Sequence, residues 1–150
     1  MLKSLVLVLC AIAVTVSAAD IAGVWKLNPA KSKYTGTAGN KEMTVTYTMQ
    51  GSGWTYSAKG VSAAGEPITR SYTYVKDGEE FKVTGFPNWD GLVLKNAATS
   101  KSTSTYMRGG KAVGTGTRTI SADGKTMTIR STVTLPDGKK ATMLSVYDRQ

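Results

Sequence analysis

Alternation of apolar and hydroxyl side chains is the feature that most narrows what this chain can fold into. In Met43-Thr44-Val45-Thr46-Tyr47-Thr48-Met49 the apolar residues fall on every second position and threonines fill the gaps. A period of two puts one set of side chains on each face of a strand. The pattern returns in Ile68-Thr69-Arg70-Ser71-Tyr72-Thr73-Tyr74 and in Thr126-Met127-Thr128-Ile129-Arg130-Ser131-Thr132-Val133-Thr134-Leu135. Thr, Val and Tyr are side chains that suit a pleated surface. Beyond its first segment the chain shows no helical spacing. Between the alternating runs lie Gly51-Ser52-Gly53, Ala64-Gly65-Glu66-Pro67, Asp77-Gly78, Arg108-Gly109-Gly110, Asp123-Gly124 and Asp137-Gly138. Each is a turn sequence that tolerates positive φ at glycine, so the runs read as successive hairpins.

The predicted strands are Gly23 to Asn28, Lys41 to Gln50, Gly53 to Val61, Pro67 to Val75, Glu80 to Thr84, Gly91 to Asn96, Ser100 to Met107, Lys111 to Ser121, Lys125 to Leu135 and Lys139 to Arg149. An antiparallel meander of this length must deal with its two edges. Closure into a barrel removes them, whereas a sandwich only blunts them. The expected fold is therefore all-β, an antiparallel up-and-down β-barrel of about 8–10 strands. Pro29 to Asn40 is the longest connection and is expected to be a mobile flap.

Residues 1–19 read as a cleavable secretory signal peptide. Lys3 is the positive n-region, Leu5 to Val14 is apolar, and Ser17-Ala18-Ala19 supplies small residues before Asp20. The apolar run is shorter than the roughly 20 residues a spanning helix needs. The expectation is an exported, periplasmic or extracellular protein of one domain, residues 20–150, with no stable membrane insertion after cleavage. The monomer is the favoured state.

Composition excludes much chemistry. The chain has no His and one Cys, Cys10, which leaves with the leader. No Ser-His-Asp triad, Cys-His dyad, imidazole ligand, thiolate metal site or disulfide can form in the mature domain. Glu79 and Glu80 are neighbours on a strand and point to opposite faces, so they do not make a glycosidase pair. Asp77, Asp123 and Asp137 read as turn-formers. No catalytic residue, metal or cofactor is expected, and the protein is read as a non-enzyme. Lys and Arg total 19 against 10 Asp and Glu, a formal charge of +9. The lysines are dispersed and not interleaved with aromatics, so nucleic-acid binding is not expected.

Gly23-Val24-Trp25 at the start of the first mature strand resembles the first-strand motif of the calycin superfamily, the lipocalins and their relatives. That resemblance implies a barrel-closing role for Gly23 and Trp25, with a basic side chain near the last strand, here Arg149, packed across the indole. A wider resemblance rests on four stretches. They are Gly23-Val24-Trp25-Lys26-Leu27-Asn28-Pro29-Ala30-Lys31-Ser32-Lys33-Tyr34, Val83-Thr84-Gly85, Val113-Gly114-Thr115-Gly116-Thr117-Arg118 and Ser121-Ala122-Asp123-Gly124-Lys125-Thr126-Met127-Thr128. In order and spacing they are similar to a family of small exported bacterial lipocalin-like proteins without an established activity. Lys82 departs from it, standing where relatives carry Pro. The chain also lacks the cysteine pair and C-terminal helix of ordinary lipocalins.

A barrel of this size can enclose one small ligand. The candidate interior residues are Tyr47, Met49, Tyr72, Tyr74, Arg118, Met127, Ile129, Met143 and Tyr147. Met adapts to irregular shapes and Tyr offers a polar handle. Arg70, Arg118 and Arg149 lie on strand patterns that can point inward. An inward Arg could grip a carboxylate bidentately, as it does in fatty-acid carriers of related fold. Arg118 is the best placed, with Gly114 and Gly116 expected to leave space beside it. Gly85-Phe86-Pro87-Asn88-Trp89-Asp90 carries Phe86 and Trp89 on a surface or mouth loop. Two functions fit these residues: carriage of a small hydrophobic or amphipathic ligand, or a packed envelope module binding protein or polysaccharide through its surface.

Overall fold

A computed structural model describes residues 21–150. The expected leader, residues 1–19, lies outside the described residues. The strands are β1 (Gly23–Leu27), β2 (Lys33–Thr35), β3 (Glu42–Gln50), β4 (Gly53–Val61), β5 (Pro67–Tyr74), β6 (Glu80–Thr84), β7 (Gly91–Lys95), β8 (Lys101–Arg108), β9 (Lys111–Ile120), β10 (Thr126–Thr134) and β11 (Lys140–Arg149). Each of the ten strands expected from the sequence is present, with ends displaced by at most one residue. Neighbours in sequence pair antiparallel from β3 to β11, and β1 pairs with both β3 and β11, closing the barrel.

The first part of the segment expected to be a flap, up to Thr35, is instead built into the wall. Asn28 accepts the Lys31 amide on its side chain and opens a 3-10 turn at Pro29–Lys31. The chain then rejoins the edge of β11 as β2, where Tyr34 faces Met143. The Ser32 hydroxyl bridges the excursion, donating to Asn28 O at 2.8 Å and accepting from Val146 N at 3.0 Å. Tyr34 then meets Ser145, hydroxyl to hydroxyl, at 3.1 Å. So β2 continues β1 along the same edge of β11, and the amides of Asn28, Lys31 and Ser32 are paired.

Strand alternation sorts the side chains as the sequence suggested. On β3, Met43, Val45 and Tyr47 are buried and Thr44 and Thr48 exposed. On β10, Met127, Ser131 and Val133 are buried while Arg130 and Thr132 are exposed. The outer wall is consequently rich in threonine. Its turns are held by the aspartates: Asp123 accepts Lys125 N at 3.0 Å and Asp137 accepts Lys139 N at 3.0 Å. Asp77 links two turns at one end, accepting Asn96 N at 2.7 Å and Ala97 N at 3.1 Å.

That end is packed shut. Trp25, Trp54, Ala97 and Met127 are all at 0 % exposure there. Trp25 donates from Nε1 to Ile21 O at 3.0 Å, and the Arg149 guanidinium lies 4.2 Å from its ring centroid. Arg149 also donates to Gly124 O at 2.7 Å and Ala22 O at 2.6 Å, tying the first strand, the last strand and a turn together. Gly23, at φ 119°, is needed here. A Cβ on it would come within 3.1 Å of Arg149 Nη1, and L side chains rarely adopt that backbone conformation.

Candidate functional site

Between the packed end and the loop at residues 85–90 the barrel encloses a cavity of about 130 Å³. Its aromatic walls come from strands around the barrel: Tyr47 on β3, Tyr56 on β4, Tyr72 on β5, Tyr106 on β8 and Tyr147 on β11, with Phe86 and Trp89 from the loop. Cross-strand neighbours stack because their registers put them side by side. Tyr56 and Tyr72 are paired residues, and their rings lie 4.5 Å apart and 4° from parallel. Tyr47 meets Tyr56 edge-on at 5.3 Å. At the mouth, Phe86 and Trp89 are 5.3 Å apart and Trp89 lies 4.6 Å from Tyr106. Both loop aromatics are half-buried and line the cavity.

Two arginines enter this aromatic chamber. Arg118 projects inward from β9 at 7 % exposure, and its Nη2 donates to Ala97 O at 2.6 Å and Thr99 O at 3.2 Å. Arg70 projects from β5 with its guanidinium 5.0 Å from the Phe86 ring centroid. Neither forms an ion pair with a carboxylate among the described residues. Buried Nε atoms of both, and Nε1 of Trp54, have no hydrogen-bond partner there. Leaving a buried donor unpaired costs about 1–3 kcal/mol, and more when it is charged. A buried cation without a counter-charge therefore has to be explained.

Burial raises the pKa of the tyrosines against this field. Desolvation pushes up Tyr47, Tyr56, Tyr72 and Tyr147. The guanidinium of Arg118 pulls Tyr47 and Tyr72 partly back, and that of Arg70 does so for Tyr56 and Tyr147. Tyr74, at the packed end, is raised to about 12 by desolvation and then by its hydrogen bond to Asp77, 2.8 Å long.

The structure brings Tyr47, Tyr72, Arg118, Ile129, Met143 and Tyr147 together at the cavity. It does not bring the other three candidates there. Met49 is 44 % exposed, because the strand has passed the barrel's rim by the time it reaches that position. Tyr74 and Met127 are buried, but in the plug at the closed end, where Tyr74 packs on Trp54 with ring centroids 4.1 Å apart. Gly114 and Gly116 do not leave free space beside Arg118. A Cβ on Gly116 would fall 2.6 Å from the Tyr106 hydroxyl, so that room is taken by Tyr106, whose hydroxyl pairs with Ser131 at 2.7 Å. A Cβ on Gly114 would meet Thr132 O at 2.4 Å.

The cavity is also lined by residues that are not among the expected candidates, Tyr56, Ser102, Ser104 and Tyr106. Tyr56 was detectable from the alternation Trp54, Tyr56, Ala58 on β4. Ser102, Ser104 and Tyr106 on β8 were not, because hydroxyl residues fill both faces of that strand and the period disappears.

No protein-family model matches the chain, and no curated protein does. Among solved structures it is similar to zebrafish ileal bile acid-binding protein, crystallised in complex with cholic acid. The TM-score is 0.50 at 12 % identity, covering 86 % of this chain and 98 % of that one. The fold is a calycin-like barrel. It is all-β, antiparallel and closed by ten strands, with β2 as a short eleventh element on the edge of β11.

Proposed function

We propose that the protein is an exported, periplasmic or extracellular binding protein that holds a small amphipathic anion inside its barrel and performs no covalent chemistry. One observation carries this: the guanidinium of Arg118 is buried, has no carboxylate partner among the described residues and keeps an unpaired Nε beside the cavity. A ligand carboxylate or comparable oxyanion supplies both the missing acceptor and the counter-charge. The stacked Tyr56 and Tyr72 and the loop pair Phe86 and Trp89 offer flat apolar walls to the rest of the molecule. Affinity then comes from apolar burial, and orientation from the arginine.

Size restricts the ligand class. A cavity of about 130 Å³ is smaller than the roughly 300–1,000 Å³ that drug-sized molecules occupy. The fold neighbour was crystallised with cholic acid, an amphipathic acid. The ligand proposed for this chain shares that chemistry but is closer to a single aromatic ring in size.

The test is native mass spectrometry of protein purified from its own cells, followed by solvent extraction of whatever it carries. A defined small organic acid is the expected result. Arg118→Met should weaken its rebinding at least about tenfold, the equivalent of one charge-assisted hydrogen bond of about 1.5 kcal/mol. Arg70→Met, which leaves the Ala97 and Thr99 contacts in place, serves as a second variant should the first fold poorly. Clean apo protein that also fails to enhance an apolar fluorophore would overturn the proposal.

A further inference from the structure

The outer wall carries a second feature, independent of the cavity. Across β8, β9, β10, β11 and β2 the registers align Thr105, Thr115, Thr132, Thr142 and Thr35 in one outward row. A parallel row beside it holds three cations, Lys95, Arg130 and Lys33. The two rows line an open trough of about 830 Å³ on the outer wall. No carboxylate and no aromatic ring lines it. The nearest acidic position in the register is Glu80, opposite Val93 at the β6 edge.

From this arrangement we infer that the trough binds a linear acidic polysaccharide. Threonine hydroxyls both donate and accept, as sugar hydroxyls do, and β-branching stiffens them before any ligand arrives. Strands lie about 4.7–4.9 Å apart, so the row repeats at an interval comparable with the advance of a glycan chain per ring. The three cations answer carboxylate, sulfate or phosphate groups on such a chain. A single-stranded nucleic acid would find no ring to stack on. Like charge on a second copy of this chain would oppose self-association through the face.

The probe is polygalacturonate, with neutral dextran and poly(dT) alongside, titrated against the full mature chain at physiological salt. Polygalacturonate is expected to bind, and dextran is not. The triple variant Lys33→Gln, Lys95→Gln, Arg130→Gln should lose at least tenfold in affinity. A control removing as many charges elsewhere, Lys26→Gln, Lys41→Gln, Lys59→Gln, should lose less than threefold. The charge-preserving double variant Thr115→Val, Thr132→Val keeps β-branched shape and should still lose at least threefold. Equal losses in the two charge-reduced proteins, wild-type binding by the threonine variant, poly(dT) binding as tight as polygalacturonate, or no polygalacturonate binding would each overturn the inference. Failure of the interior-ligand experiment leaves this test intact, because it reads a different face.

Discussion

Trp25→Ala is expected to remove about 3–5 kcal/mol of folding stability, the usual cost of deleting a large buried aromatic from a packed core. Domains of this kind hold only about 5–15 kcal/mol in all, so the variant should sit at the edge of unfolding. The reason is local. Trp25 is at 0 % exposure, anchors Ile21 through its Nε1 and carries the Arg149 guanidinium on its face. Removing the indole leaves a void and strips Arg149 of a cation–π contact that joins β1 to β11. Urea unfolding followed by circular dichroism measures the loss. Val24→Ala, one residue away and 37 % exposed, should change stability by less than about 0.5 kcal/mol. Similar losses for the two variants would mean that the indole does not close the barrel.

Alkaline pH should unfold the protein in one cooperative step between about pH 10 and 12, with tyrosine ionisation and loss of β-structure coinciding. Four cavity tyrosines, Tyr47, Tyr56, Tyr72 and Tyr147, have pKa values raised by burial. A phenol that resists ionisation when folded ionises near pH 10 when unfolded. Its contribution is fully present below that pH and is lost as pH rises toward the folded-state value. Each such tyrosine costs up to about 1.4 kcal/mol per pH unit in that window. Several acting together exhaust a typical domain's stability within about one to two units. Absorbance at 295 nm and far-ultraviolet circular dichroism, recorded on one titration, should share a midpoint. Gradual ionisation centred near pH 10 with the β-signal intact would show that these rings are open to solvent.

How far the sequence reveals this molecule depends on whether a side chain's neighbour is implied by periodicity. The alternation in Met43 to Met49 places a strand and its inward face, but it carries no information on where the barrel wall stops. That is why Met49 reads like Met43 and yet stands outside. Tyr74 and Met127 share a face with cavity residues, and only the three-dimensional plug assigns them to the closed end. β2 escaped because Lys33–Thr35 is three residues long and its partner, β11, is distant in sequence. No local pattern records such a pairing. Arg118 lies on a strand pattern that can point inward, and it is buried, but the room expected beside Gly116 belongs to Tyr106. The arginine's lack of a counter-ion among the described residues is a property of every strand around it, which no stretch of β9 can report.

The contact between Arg149 and Ala22 spans 127 residues of chain. Because β1 depends on β11 for one whole edge, the barrel cannot close until the final strand is available. A chain of this design has a high contact order and is expected to fold in milliseconds to seconds rather than microseconds. During folding the first strand stays unpaired on one side until the last strand arrives. β11, the last of these strands in sequence, thus completes the contacts of β1, the first.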